Sequence, residues 1–574
     1  MWNAHRVVMA GVVVALIALP APGATTSAQP VTDNFEVLGH SDLGADSIYG
    51  DVWVHEDYAY VGTWVVPCEG AGVQIVDISD LENPTPVDRL AERPATSAED
   101  VVVRSVITPF FVGDLLAVGL QRCGFGEDAA QGEWGLGLWD VTDPTAPVEL
   151  SFLPLVTQLG GVHELDVFQR GLEVYALVAT PKTDWFEEEP VGDVRIIDIT
   201  DPSNPVVVAD WGAREQGPSR GPFDGQGNSP SMFAHSVRAS ADGTKAFVSY
   251  WDLGVVTLDI SDVTNPRLIS RTQFPPLAEG EAHSVAEYEA PGRSFLLQND
   301  EDTNPKSPVR VHYDGGFRGE AAESSGATAL WLEMGHRVSA RVIQARRQGC
   351  RIDDYPRNAD GRIVVVRTHL HFYDPGSHPE AQCGLRQQQR RATSAGAAAV
   401  VHDWISTATS PTSIFDFFEA RIPVALAEHA LARGMVRAGR ATLEATEPSQ
   451  GFLRVFDADT GEQVATFDSV EGVHELPAPE GIWSIHNTEV MGDRAYSSWY
   501  TNGIVALDLT PLHEDPPADP VQVGQFLPEP VDSTFSDVPL VWGVFVRDDG
   551  VIFASDMVTG LWIVRPTGPA APVS

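Results

Sequence analysis

Basic side chains are scarce in this chain, and lysine is nearly absent from it. The 574 residues include only Lys182, Lys245 and Lys306, and 37 lysines and arginines together stand against 80 aspartates and glutamates, for a formal net charge of −43. Nucleic acids and anionic lipid surfaces are bound through basic patches that neutralise phosphates. The composition therefore argues against both as partners, and an acidic, solvated surface is its simplest explanation.

Long apolar runs are also missing, with one exception at the start of the chain. Val7–Leu19 is apolar, follows a weakly basic start and precedes small residues and prolines. This pattern is typical of a secretory signal peptide, and we assign residues 1–28 to it, with cleavage near Gly23 or Ala28. The run is shorter than the roughly 20 residues of a membrane-spanning helix. We expect a secreted protein, extracellular or periplasmic, with no transmembrane segment after cleavage.

One phrase recurs along the chain, and each copy predicts a β-hairpin. A copy consists of an alternating apolar strand, a turn of Asp, Asn and Pro, and a second strand, because Pro fixes φ and Asp or Asn bonds its own backbone. Four clear copies are GVQIVDISDLENPTPV from Gly72, GLGLWDVTDPTAPVEL from Gly135, DVRIIDITDPSNPVVV from Asp193 and GVVTLDISDVTNPRLI from Gly254. Weaker copies start at Phe452, Gly503 and Gly560. Seven copies indicate seven repeating units.

Another strand pair precedes each hairpin, most clearly between His235 and Trp251, so that each repeat has the four strands of a propeller blade. The last repeat lacks a fourth strand after Arg565, whereas Phe35–His40 is similar to the fourth strands of other repeats. The sequence therefore predicts a mainly β fold, a seven-bladed propeller closed by the N-terminal strand. The propeller comprises residues 34–304 and 451–567, and 568–574 form a tail.

The hairpin phrases resemble those of the LVIVD repeat family of extracellular propellers across both propeller segments. This resemblance implies the fold and an exported location. It implies no activity, because propellers support both binding and catalysis.

The remaining residues, 305–450, are inserted between the second and third strands of blade five. They contain, in order, Cys350, the strand Gly361–Arg367, Cys383, a helical stretch from Gln387 that runs into an alanine-rich strand ending at Val401, and the strand Arg421–Leu426 before a short helix. This order resembles a protease-associated (PA) domain, which implies an α/β module that mediates protein contacts or covers a neighbouring site without catalysis of its own. The chain has no HExxH or GxSxG sequence, so a peptidase activity has no residues to perform it.

Histidine recurs at one position of the repeats. When the repeats are aligned, the residues that start the innermost strands are Gly50, Glu99, His163, His235, His283, His486 and Trp542. Equivalent positions of innermost strands form a ring at one mouth of the channel. Since imidazole is a common ligand of transition metals, His163, His235, His283, His486 and Glu99 are candidate ligands for zinc, copper, iron or manganese.

Two interpretations of these histidines remain open. In the first they bind a metal, and Glu164 orients a ligand imidazole; the layout, though no other motif, is similar to the metal sites of carotenoid-oxygenase and methanethiol-oxidase propellers. In the second they are polar channel residues that bond to water or backbone.

The topology also places several loops at this mouth. Innermost strands start on the face from which the loops between second and third strands emerge, so the insertion and the histidine ring should share a face. Cys68 and Cys123 fall in equivalent loops of adjacent repeats, close enough to form a disulfide. The other predicted disulfide, Cys350–Cys383, lies within the insertion.

Two functions follow from the sequence. The first is an exported interaction protein that presents the propeller face and the insertion to an extracellular protein, peptide or glycan. The second is a metal-dependent enzyme, an oxidoreductase, that acts at the channel mouth beneath the insertion. The sequence identifies neither a substrate nor a catalytic residue.

Overall fold

Seven antiparallel sheets of four main strands make up most of the protein. The computed structural model describes residues 30–573 except 45–46, 65–71, 124–131, 156–159, 182–191, 214–215, 217–232, 275–279, 303–308, 324–336, 369–382, 405–420, 446–449, 469–480 and 530–535. The predicted signal peptide, residues 1–28, lies outside this part of the chain.

In each blade the strands pair in order from the innermost at the channel to the outermost at the rim. Blade one contains Tyr49–His55, Tyr58–Thr63, Val73–Asp77 and Thr85–Leu90; blade two contains Val101–Ile107, Val112–Arg122, Gly135–Asp140 and Val148–Pro154; blade three contains Leu165–Arg170, Glu173–Ala179, Val194–Asp198 and Val206–Trp211. Blade four contains Ser236–Ala239, Lys245–Ser249, Val255–Asp259 and Arg267–Arg271; blade five contains Ala282–Ala290, Arg293–Asp300, Leu453–Asp457 and Gln463–Phe467. Blade six contains Thr488–Met491, Arg494–Ser498, Ile504–Asp508 and Val521–Leu527; blade seven contains Val541–Val546, Ile552–Asp556, Gly560–Pro566 and Phe35–Ser41.

The seven sheets form a closed ring. The innermost strands contact one another in order from blade one to blade seven, and that of blade seven contacts that of blade one. Phe35–Ser41 pairs antiparallel with Gly560–Pro566, so the N-terminal strand completes blade seven as predicted. The sequence did not predict that Val31–Asp33 also pairs with Val521–Leu527 and adds a fifth strand to blade six. Two successive N-terminal segments thus join neighbouring blades.

The recurring Asp turns have the same hydrogen bonds in four blades. The side chains of Asp80, Asp143, Asp201 and Asp262 each accept a hydrogen bond from the backbone N–H two residues further on, at 3.1 Å. Their backbone carbonyls accept the N–H three residues on. These bonds reverse the chain between the third and fourth strands, as expected for Asx turns.

The hydrophobic core lies between adjacent blades. Between blades three and four, for example, Leu177 and Ile196 pack with Val237, Val248 and Val256, and all five are buried. Burial of an aliphatic side chain contributes about 1.5–3 kcal/mol to the free energy of folding. Because these side chains are buried between blades, each blade is stabilised by packing against its neighbours.

The insertion leaves blade five after Arg293–Asp300, and Leu453–Asp457 pairs directly with that strand. Its strands form a closed barrel: Val309–Tyr313, Gly316–Glu323, Arg337–Gln344, Ile363–Thr368, Ala399–Trp404, Val424–Glu428 and Arg440–Ala445. Two helices, Leu385–Ser394 and His429–Ala438, and a 3-10 turn, Ile352–Asp354, accompany the barrel, which has its own buried core. Two further 3-10 segments of the described residues lie outside the insertion, Thr510–His513 and Gly568–Ala570.

One of the two predicted disulfides is confirmed. Cys350 and Cys383 are bonded, with their Cα atoms 5.8 Å apart. Cys68 lies outside the described residues, so its pairing with Cys123 stays a prediction. Among the helices in the described part of the chain, none is both long and apolar enough to cross a membrane.

Candidate metal centre at the channel mouth

Equivalent backbone hydrogen bonds place the predicted histidines at the same level of the channel. The N–H groups of His163, His235 and His486 donate to the carbonyl of the last residue of the adjoining second strand, which is Ala179, Ser249 and Ser498, at 2.9, 2.8 and 2.9 Å. His283 lies at a bulge near the start of Ala282–Ala290. The repeat alignment therefore placed these side chains correctly.

The imidazole rings of consecutive blades contact one another. Ring centroids are separated by 4.2 Å between His163 and His235, by 4.1 Å between His235 and His283, and by 4.0 Å between His283 and His486. His486 then contacts the indole of Trp542 at 4.1 Å. The four histidines therefore form one continuous arc at the mouth.

His163 begins the arc and is held by blade two. Its Nδ1 lies 2.9 Å from Oε2 of Glu99 and 3.0 Å from Oε1 of Gln121. Burial lowers the pKa of His163, but the carboxylates of Glu99, Glu301 and Asp100 more than offset this effect, and the pKa is raised. The Nδ1 atom of His163 thus faces Glu99, and its Nε2 faces His235, whose Nε2 is 2.9 Å away.

The other three histidines are buried and neutral at pH 7. Burial, together with the neighbouring histidines, holds the pKa of His235 and His283 well below its usual range, and burial lowers that of His486 to about 3. A backbone hydrogen bond to the next residue of the ring, His283, His486 and Trp542 respectively, opposes the lowering of the pKa of His235, His283 and His486 without reversing it. A neutral imidazole keeps one ring nitrogen with a free lone pair, which is the form that binds a metal.

Besides Glu99, two carboxylates lie beside the arc, those of Glu164 and Glu301. Glu164 is fully buried, neither of its oxygens makes a hydrogen bond, and Oε1 lies 3.5 Å from Nδ1 of His235. Glu301 places Oε2 3.8 Å from Nε2 of His283, while its Oε1 accepts a hydrogen bond from the Tyr500 hydroxyl. Burial raises the pKa of Glu164 well above its usual range and that of Glu301 to about 7.

These side chains form two sets that are close enough together to hold a metal ion. His163, Glu164 and His235 form one set, and His235, His283 and Glu301 form the other; in each, the ligand atoms lie within 4.8 Å of one another. Each set contains two imidazoles and one carboxylate. This is the donor combination of catalytic zinc sites and of non-haem iron(II) sites, in which further coordination positions stay open.

Aromatic side chains surround the arc. Trp251 stacks on the ring of His235 at 5.1 Å and on Phe233 at 5.0 Å. On the other side, Trp542 contacts Trp64 at 4.9 Å and Tyr500 at 5.7 Å. This wall limits the access of water and explains why His283 and His486 are no more than 1% exposed.

A polar cavity continues the channel beneath the arc. Asp51, Asp100, Glu489 and Arg238 are among the residues that line it. Burial raises the pKa of Asp51 well above its usual range and that of Asp100 to about 6, and the Arg238 guanidinium opposes both shifts. Asn487 donates to both carboxylate oxygens of Asp51, at 2.9 and 3.2 Å.

The base of the insertion adjoins the arc. Asp302 follows Glu301, and its backbone carbonyl accepts a hydrogen bond of 3.0 Å from the N–H of Gly451. Gly451 is where the chain returns from the insertion. The Asp302 N–H donates to Oγ of Ser484 at 3.0 Å, two residues before His486. Both ends of the insertion are thus bonded to the segment that carries a ring histidine.

The sequence identified the four histidines, Glu99 and Glu164, and the structure brings them together. It missed Glu301, Gln121 and Tyr500, which lie where second strands end. The repeat alignment contained a signal for them, because a residue at the end of a second strand faces the start of an innermost strand.

Comparisons with known proteins agree with the fold. The LVIVD repeat family matches residues 49–91, 191–211 and 235–273, so the chain carries LVIVD repeats. No curated protein matches it.

Three solved structures are similar to parts or most of the chain. The computationally designed Ika8 protein is 10% identical, with a TM-score of 0.36, over 92% of this chain and 98% of that one. The C-terminal WD40 domain of Sif2 is 8% identical, with a TM-score of 0.38, over 93% and 99%. BSAP, a zinc aminopeptidase from Bacillus subtilis, is 15% identical, with a TM-score of 0.19, over 29% and 36%. These scores are too low to carry an argument.

Proposed function

We propose that the channel mouth binds a transition metal through the histidine arc and that the protein is a metal-dependent enzyme. The observation that carries this proposal is the close approach of His163, His235 and His283 to Glu164 and Glu301, whose potential ligand atoms form two sets within 4.8 Å. A neutral buried imidazole with a free lone pair is a ready metal ligand.

The distances fit metal ligation. Two ligands bound at right angles to one ion at about 2.1 Å are about 3.0 Å apart, and the facing Nε2 atoms of His163 and His235 are 2.9 Å apart. Glu99 and Gln121 fix the orientation of His163, which is how carboxylates and amides support metal-bound histidines.

A bound metal with two histidines and one carboxylate keeps open positions for a substrate, and it would supply either Lewis acidity or oxygen activation. The protein's own residues orient and shield the site. Tyr500 donates to Glu301 and fixes that carboxylate beside His283. The wall of Trp251, Trp542 and Tyr500 limits the entry of water.

The test is elemental analysis of full-length protein purified without metal-chelating resin. His235 belongs to both ligand sets, so we expect near-stoichiometric metal in the wild type and its loss in His235→Ala. His312→Ala is the matched control, because His312 lies in the insertion and is partly exposed. Absence of zinc, copper, iron and manganese, even after reconstitution, would refute the proposal. Iron, copper or manganese would make redox chemistry available at the site, whereas zinc would restrict the metal to Lewis-acid chemistry.

A second function concerns the insertion. We propose that it is a PA-like module which, on an exported protein, covers the mouth or presents a joint surface to a protein, peptide or glycan. Its order of strands and helices, its disulfide and its attachment beside Glu301 support this proposal. An LVIVD-repeat propeller is compatible with a protein-interaction role.

The insertion can be tested by replacing residues 303–450 with a short glycine linker, since Asp302 and Gly451 are hydrogen-bonded neighbours. A covering module predicts faster removal of metal by a chelator in this variant than in the wild type. Equal removal rates from two folded proteins would contradict the covering role.

A further inference from the structure

We infer that the mouth holds two metal ions side by side, one bound by His163, Glu164 and His235 and the other by His235, His283 and Glu301. This inference rests on the proposed function and goes further, because it fixes the number of ions and the ligands of each.

The first step is a limit on what one ion can reach. Two ligand atoms of one ion are at most two bond lengths apart, about 4.2 Å for nitrogen ligands. Within the described part of the chain, the candidate sets contain three residues each, and neither contains both Glu164 and Glu301. A single ion would therefore use one set and leave the carboxylate of the other set uncoordinated.

The second step concerns His235, which the two sets share. A neutral imidazole has one free lone pair, and it binds two metal ions, one at each nitrogen, only after its N–H proton is released to water. His235 lies between the rings of His163 and His283, at centroid distances of 4.2 and 4.1 Å, and it is therefore adjacent to the ligands of both sets. Its central position allows it to serve two neighbouring ions.

The third step is charge. The carboxylates at the arc or lining the cavity beneath it are Glu99, Glu164, Glu301, Asp51, Asp100 and Glu489. Arg238 is the one cation among the side chains that line the described cavity. A buried carboxylate is costly unless it is paired or protonated. A divalent ion in each set would pair with the carboxylate of that set, Glu164 in one and Glu301 in the other.

The experiment is a Co²⁺ titration of metal-free, full-length protein, with bound metal measured by equilibrium dialysis and elemental analysis. The wild type should bind two ions per chain. Glu164→Gln and Glu301→Gln should each bind one ion, because each substitution removes the carboxylate of one set while it preserves side-chain size. His312→Ala should still bind two ions, and circular dichroism checks that each variant is folded.

The outcomes separate this inference from the proposed function. One ion per chain in the wild type would overturn the inference and leave the proposed metal site intact. No bound ion would overturn both. Two ions in the wild type and also in each glutamine variant would overturn the division of ligands inferred above.

Discussion

Arg238 lies in the cavity beneath the histidine arc, and its removal should destabilise the protein more at high pH than at low pH. Its guanidinium opposes the rise in the pKa of Asp51, Asp100, Glu164 and Glu489, all four of which are raised by burial. Breaking a fully buried ion pair costs about 3–5 kcal/mol. The Arg238 side chain is 32% exposed, so solvent screens part of this effect, and we expect about 2–3 kcal/mol for Arg238→Met at pH 8.

The pH dependence follows from the sign of the carboxylate shifts. A carboxyl group whose folded pKa lies above its unfolded value contributes stability at low pH, and that contribution is lost as the pH rises. In Arg238→Met the pKa values rise further, and each additional unit adds about 1.4 kcal/mol of penalty above the new pKa. Urea denaturation at pH 5 and pH 8 should therefore give the smaller penalty at pH 5.

A surface pair supplies the control for this experiment. Arg547 contacts Asp549 at 2.8 Å, and the Asp549 side chain is 52% exposed. Arg547→Met should cost less than about 1 kcal/mol at both pH values. An Arg238→Met penalty as small as the control's, or one that is equal at pH 5 and pH 8, would refute the role of Arg238 as the counter-ion of the channel.

Three further predictions concern stability. Burial lowers the pKa of His402 to about 3. The free energy of unfolding of the insertion should therefore fall by up to about 1.4 kcal/mol per pH unit as the pH falls from about 6.5 towards 3. Hydrogen exchange should show this slope in the wild type and not in His402→Leu. Replacing Cys350 and Cys383 by alanine opens a loop with a sequence separation of 33 and should destabilise the insertion by about 4 kcal/mol in urea denaturation, and no change would contradict a structural role. Phe35 is 5% exposed in the closing strand, and Phe35→Ala should lower the free energy of unfolding by about 3–5 kcal/mol. Phe110 is exposed, and Phe110→Ala should lower it by less than about 0.5 kcal/mol. Equal losses in the two variants would argue against closure by this strand.

The propeller was predictable because its signals are local and repeated. The Asp turns and alternating strands recur with the same spacing, and Phe35–Ser41 has the pattern of the strand that the last repeat lacks. The strand Val31–Asp33 was not predicted, because three residues show no period and their pairing with blade six depends on tertiary position.

The histidine arc was predictable for the same reason, since four histidines occupy one repeat position. Glu301 and Gln121 were missed because they belong to other strands, and only the sheet register brings them to His283 and His163. In the insertion three strands and two helices were predicted in order, although the alanine-rich strand, Ala399–Trp404, continues past Val401. Four further barrel strands were not predicted: Val309–Tyr313, Gly316–Glu323, Arg337–Gln344 and Arg440–Ala445.

The most direct test of the metal centre is anomalous diffraction from crystals of the metal-loaded protein, with data collected on both sides of the absorption edge of the metal found by elemental analysis. We predict anomalous peaks at the channel mouth, within about 2.0–2.2 Å of a ring nitrogen of His235. Metal-loaded crystals with no peak at the histidine arc, or with peaks only elsewhere on the chain, would contradict the account.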